Sequence, residues 1–120
     1  MIKKSNYTKG KVGEQIAEDH LIKLGYQILE RNVRSPFGEI DLIAKHEGYL
    51  VFIEVKSRQD NAFGFPEESV NQFKKRKLYK LASWYLTRFR QTPKTRFDVL
   101  AIEGVENNPN FRLIQNAIEF

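Results

Sequence analysis

Helix-like and strand-like patterns follow one another along this chain in the order helix, three strands, helix, two strands, which predicts an α/β fold with a central mixed β-sheet flanked by helices. Two observations carry that prediction. Apolar residues recur at helical spacing in two segments, and five short runs rich in β-branched and aromatic residues are bounded by Gly, Pro and Asn. A third observation fixes the layering. The run Arg96-Phe-Asp-Val-Leu-Ala-Ile102 is almost continuously apolar, as expected for a strand covered on both faces.

The 120 residues, 41% of them apolar, suffice for a single domain over residues 1–120 with one core. Residues 1–10, with Lys3, Lys4 and Lys9, read as a basic, frayed arm. The sequence contains no internal repeat, no low-complexity tract and no apolar run long enough to span a membrane. The opening Met-Ile-Lys-Lys lacks the apolar segment of a signal peptide, so the expected location is cytoplasmic with no membrane partner. Without cysteine there are no disulfides and no thiolate metal sites. A net charge of +5 and an isoelectric point near 9.5 fit a polyanionic partner such as nucleic acid.

Taken in order, Val12, Ile16, Ala17, Leu21 and Leu24 mark a helix from about Lys11 to Leu24, and Gly25 is placed to end it in the left-handed conformation. Glu14 falls at the flank of the apolar face, with Glu18 one turn on, and a solvated helix surface is the default reading of both. Tyr26 to Val33 reads as the first strand, and Arg34-Ser-Pro-Phe-Gly38 as a turn. Glu39 to Ala44 and Tyr49 to Lys56 are the second and third strands, joined at His46-Glu47-Gly48 with Gly supplying positive φ. His20 is expected on a helix surface and His46 in solvent. The polar loop that follows carries Phe63 and Phe65, which either fold onto the core or stack on bases. Ser69 to Gln72 is a capping box. Behind it Val70, Phe73, Leu78, Leu81, Ala82, Tyr85 and Phe89 form a core stripe. Asp98 in the fourth strand needs a partner, and Arg96 on the same face is the simplest one. Phe111 to Gln115 is the last strand, and the tail Ala117-Ile-Glu-Phe120 returns its apolar residues to the core.

The chemistry concentrates between Gly38 and Lys56. Side chains alternate along a strand, so Glu39 and Asp41 are expected on one face, and Glu54 and Lys56 likewise. In a paired hairpin three carboxylates and one ammonium meet among apolar neighbours. Two carboxylates about 4 Å apart repel by roughly 4 kcal/mol at an effective dielectric of ~20, and one lysine offsets only part of that. A hard cation offsets the rest, and Asp41 and Glu54 suit Mg²⁺ or Mn²⁺, as one or two ions. Lys56 would then orient or deprotonate an attacking water, or neutralise a phosphate. Glu-x-Lys alone reads equally as a solvated face with ordinary ion pairs. Around this motif, Lys74 interrupts the stripe of the second helix so that its ammonium reaches past the sheet edge, and Lys75, Arg76 and Lys77 extend a phosphate track. Arg31, Arg34 and Arg58 are rim cations, with a solvated edge as their other reading.

Asp41 followed by Glu54-Val55-Lys56 on adjoining strands resembles the Asp…Glu-x-Lys signature of the restriction-endonuclease-like nuclease superfamily. Within it, Gly-Glu-Ile-Asp-Leu-Ile and Phe-Ile-Glu-Val-Lys-Ser-Arg resemble the YraN-like family of small bacterial proteins, itself similar to archaeal-type Holliday-junction resolvases. Lys9-Gly-Lys-Val-Gly-Glu14 resembles the first helix of those resolvases, in which a glutamate reaches the metal. The chain departs from many superfamily members in having Ile40, not Pro, before the aspartate. The resemblance covers nearly the whole chain and implies a restriction-endonuclease-like fold. It also implies a metal-dependent endonuclease cutting phosphodiester bonds in DNA, branched or otherwise structured DNA included. Asp41 and Glu54 would hold the metal with the Val55 carbonyl as a further ligand, Lys56 would position the water, and Glu14 and Glu39 would assist. Resolvases cut as symmetric dimers, so a homodimer is part of the same expectation. A non-catalytic nucleic-acid-binding module and a protein-interaction adaptor are the alternatives.

Overall fold

Apolar residues on both faces of one sheet dictate the architecture, since each face must be covered by a helix. The computed structural model describes residues 3–58, 72–104 and 108–118, with side chains described for 12–57, 75–104 and 108–118. The elements are α1 (Lys3–Lys23), β1 (Gln27–Ser35), β2 (Gly38–His46), β3 (Tyr49–Arg58), α2 (Gln72–Leu86), β4 (Thr95–Glu103) and β5 (Asn110–Ile114). The five strands form one sheet in sequence order, antiparallel except for the parallel β3–β4 pair. This is the expected α-β-β-β-α-β-β order in a mixed sheet.

Each helix seals one face. Beneath α1 lie Ala17, Leu21, Tyr26, Leu42, Ala44, Val51, Ile53, Leu100 and Ile102. Beneath α2 lie Ile40, Ile43, Phe52, Leu81, Tyr85 and Phe97, joined by Ile118 of the tail as expected. Phe52 is the pivot of that layer, edge-on to Tyr85 at 5.6 Å and stacked near Phe97 at 5.1 Å. Fully burying one such side chain contributes roughly 1.5–3 kcal/mol. Gly25 ends α1 with φ +95°, and the Tyr26 amide returns to the Leu21 carbonyl at 3.0 Å. The β2–β3 turn is two residues long, Glu47 and Gly48, both with positive φ.

Several expectations are corrected. Helix α1 begins at Lys3, not near Lys11, because a nucleated helix propagates through polar residues that show no stripe of their own. Its buried line runs Gly13, Ala17, Leu21 at i, i+4, i+8, which leaves Val12 and Leu24 exposed rather than in the core. Gly13 packs near Ser57, but an added Cβ would lie 3.6 Å from Ser57 Oγ, an ordinary contact, so space alone does not require glycine there. Helix α2 ends at Leu86, so Phe89 lies beyond the stripe and is exposed. His46 is not solvated. It is the last residue of β2, buried and stacked on Tyr26 at 3.9 Å. His20 is half-covered by Phe111, ring on ring at 3.8 Å. The expectations for Phe63, Phe65, the Ser69 cap, Val70 and Phe120 fall outside the described residues.

Candidate active site

Strands β2 and β3 pair from His46–Tyr49 to Leu42–Ile53, and the ladder stops there. The next residues along the two strands are Asp41 and Glu54. Asp41 spans the opening: its Oδ2 accepts a hydrogen bond from the Val55 amide at 2.8 Å. Along an extended strand a residue's N–H and C=O point to the same edge, so the Val55 carbonyl faces that opening too. Glu54 and Lys56 share a face as expected, with Lys56 Nζ 3.2 Å from Glu54 Oε1 and both side chains mostly covered.

Glu39 and Asp41 border different hollows. Asp41 lines a cleft of about 150 Å³ under α1 together with Glu14, Gln15, Glu18, Arg31, Asn32 and Leu42. Glu39 is paired with Arg34 at 3.2 Å and lines a groove of about 270 Å³ under α2 with Gly38, Glu54, Lys77, Leu78 and Leu81. Strand β2 changes face between Ile40 and Leu42, beside an irregularity in β1. Its ladder with β2 pairs Arg31 with Leu42 and then Val33 with Ile40, stepping over Asn32 and Asp41. Asn32 there has φ +50°, a left-handed conformation that Asn tolerates better than most residues. Ile40 accordingly packs under α2 while Leu42, two residues on, packs under α1. The kink turns Asp41 toward the opening and toward Glu14.

The acids act on one another. Burial, opposed by the Val55 hydrogen bond and reinforced by the charges of Glu54, Glu14 and Glu39, pushes the Asp41 carboxyl up to about 6. Among the described residues no three His, Cys, Asp or Glu side chains form a ready cage for a metal ion. The site is thus a crowd of carboxylates around an opening, reached from both faces of the sheet.

The expected cations divide. Lys77 borders the groove that holds Glu54, while Lys75 is half-buried and Arg76 exposed. The side chains of Lys74 and Arg58 lie outside those described. Arg31 donates to buried Glu18 at 2.7 Å and so forms the cleft wall on the α1 side. Sequence reading gave Glu18 no partner and passed over Asn32. Glu18 follows Glu14 by one helical turn, and an Asn inside a β-branched run is a turn-former out of place, so each left a faint signal.

The opposite end of the sheet carries a different polar group. Arg96 donates from Nε to Asp98 Oδ1 at 2.9 Å and from Nη2 to Asp98 Oδ2 at 2.7 Å, the pairing expected from the sequence. Tyr26 donates to Asp98 Oδ2 at 2.6 Å, and the Asn116 amide to Oδ1 at 2.9 Å. Arg96 Nη2 also stands 2.8 Å from His46 Nδ1, and because a guanidinium only donates, that nitrogen accepts. Burial and the hydrogen bond to Asp98 push Tyr26 up to about 12. A hollow of about 650 Å³ opens beside this end, lined by Leu29, Tyr49, Leu50, Phe89 and Pro93 with Lys45 and Glu47. It is larger than the cleft at Asp41, but its lining offers a single carboxylate.

Element order and the placement of Asp41, Glu54 and Lys56 define an α/β protein whose architecture is consistent with the restriction-endonuclease-like superfamily. Residues 13–102 match the model of the uncharacterised protein family UPF0102, and the chain belongs to that family. It is 49% identical over 108 residues to the UPF0102 protein of Thermodesulfovibrio yellowstonii, covering 90% of this chain and 93% of that one. It is also 49% identical over 110 residues to that of Symbiobacterium thermophilum, with 90% and 93% covered. The UPF0102 protein of Persephonella marina is 44% identical over 115 residues, with 95% and 96% covered. No helix among the described residues is long and apolar enough to cross a membrane.

Proposed function

We propose that this protein is a metal-dependent endonuclease that hydrolyses phosphodiester bonds in DNA. The observation that supports this reading is the position of Asp41. It sits where β2 leaves β3, bonded to the Val55 amide, with Glu54, Lys56 and Glu14 around the same opening. A hard cation fits the donor set: Asp41 and Glu54 offer carboxylate oxygens, the Val55 carbonyl faces the same way, and Mg²⁺ takes as few as one or two protein carboxylates while keeping several waters. Bound there, Mg²⁺ or Mn²⁺ supplies a Lewis acid for a phosphoryl oxygen and a water of lowered pKa.

The chain's own residues do the rest. Lys56, anchored on Glu54, aims its ammonium hydrogens at the water or at a non-bridging phosphate oxygen. Glu14, entering from α1, holds the water from the other face. The water oxygen bonds to phosphorus and one P–O ester bond breaks; the water gives up a proton, and the departing oxygen gains one. Lys77, bordering the Glu54 groove, meets the flanking phosphate.

Cleavage of single-stranded, duplex and four-way-junction DNA with Mg²⁺ or Mn²⁺ tests the reading. Metal-dependent cutting that is lost in Asp41→Asn and in Lys56→Ala, both still folded by circular dichroism, is the expected result. Retained cutting in Lys56→Ala removes that lysine from the mechanism. Salt-sensitive binding with no product on any of these DNAs replaces the nuclease reading with a binding module.

A further inference from the structure

On the α2 side of the acids, the turn between β1 and β2 holds an aromatic ring among cations. Pro36 and Phe37 form the turn, closed by the Ser35–Gly38 pair. Ser35 Oγ accepts from the Phe37 amide at 3.0 Å and donates to the Gly38 carbonyl at 2.9 Å. Phe37 is therefore pinned at its backbone while 39% of its surface stays exposed. Arg76, Lys77 and Lys80 lie on one face of α2, three and four residues separating Lys80 from the other two. With Phe37 they line a groove of about 240 Å³.

Lys77 joins this groove to the site. It lines both this groove and the one holding Glu39 and Glu54. Its stem lies so close to Gly38 that a Cβ there would stand 2.8 Å from Lys77 Cε. Gly38, with φ +134°, thus lets the lysine cross from one groove to the next.

We propose that the Phe37 groove binds an unpaired nucleotide beside the acids, its base stacked on Phe37 and its phosphates on Arg76, Lys77 and Lys80. This rests on the nuclease reading for the identity of the polymer and adds which part of it is held. Three cations recognise any polyanion, but an exposed ring face recognises a base. Bases inside a duplex have both faces covered by their neighbours. An exposed ring on a turn of fixed backbone therefore favours strands with unpaired bases: single strands, flaps and the frayed arms of branched DNA.

Fluorescence anisotropy in EDTA, with the full chain and a labelled single strand or its duplex, tests this apart from cleavage. Phe37→Ala weakens single-strand binding about tenfold or more, in line with base–aromatic stacking, and leaves duplex binding within about twofold. Phe37→Trp restores the single-strand affinity; Phe37→Leu, apolar but without a π-face, does not. Alanine at Arg76 or at Lys80 lowers the slope of log affinity against log salt by about 0.7 for a single strand. Equal losses on both DNAs, or a Leu variant that binds like wild type, overturns the proposal. Phe37-dependent single-strand binding without metal-dependent cutting keeps the groove and removes the nuclease. Cutting with no Phe37 dependence does the reverse.

Discussion

The two ends of the sheet hold buried charge in opposite ways. At the hairpin end Arg96 and Asp98 are joined by two hydrogen bonds, and Tyr26, the Asn116 amide and His46 take up much of what remains. At the other end Asp41 has the Val55 amide and lies in the field of three further carboxylates. The first cluster closes its charges within the chain. The second leaves a carboxyl raised first by its burial and then by its acidic neighbours. The balanced cluster is scaffold; the other is the one to which the proposed function assigns a cation.

Breaking the balanced end has the largest expected effect. Arg96→Met leaves Asp98 buried without its counter-charge and lowers stability by about 3–5 kcal/mol, read from urea denaturation at pH 7. The unbalanced end responds with the opposite sign. Asp41 titrates near 6 in the folded chain against 3.8 in the ordinary range, so the folded state binds the extra proton between those values. Its stabilising contribution is full below pH 4 and is lost as pH rises through about 6. Asp41→Asn should therefore stabilise the protein at pH 8 by on the order of 3 kcal/mol and give nearly nothing at pH 4. An Asn variant that is less stable at pH 8 would refute that assignment.

Smaller effects sharpen the contrast. Mn²⁺ at ten times its dissociation constant raises wild-type stability at pH 8 by about 1.4 kcal/mol, with the gain fading below pH 6 as protons compete. The Asp41→Asn variant should show no such rise in Tm; an equal rise in both chains would place the ion elsewhere. Least affected is the exposed Arg34–Glu39 pair, where Arg34→Ala should change stability by less than about 0.5 kcal/mol.

The balanced and unbalanced ends also differ in how plainly they stood in the sequence. Element order, the Gly25 helix stop, the Glu47-Gly48 turn and the Arg96–Asp98 pair follow from local chemistry, so each was readable. Glu54 and Lys56 were readable for the same reason, two residues apart on one strand. His46 was misjudged because what buries it, Tyr26 and Arg96, comes from distant parts of the chain. Strict alternation does not carry from Ile40 to Leu42, which pack under different helices beside the left-handed Asn32 of the neighbouring strand. The burial of Glu18 depends on Arg31 arriving from β1, a tertiary event that its place one turn after Glu14 only faintly marks.

Asn32 has one more consequence, for self-association. The edge strands are β1 and β5, and exposed edges invite a second copy to add on strand by strand. Strand β5 is only five residues long. Strand β1 is longer, but a bulge between Ile28 and Glu30 and the left-handed Asn32 break its straight run, and Glu30, Arg31 and Arg34 add charge. The kink that turns Asp41 toward the opening thereby also spoils β1 as a template for fibre-like growth. Asn32→Val, which favours extended backbone, should increase light scattering on prolonged incubation.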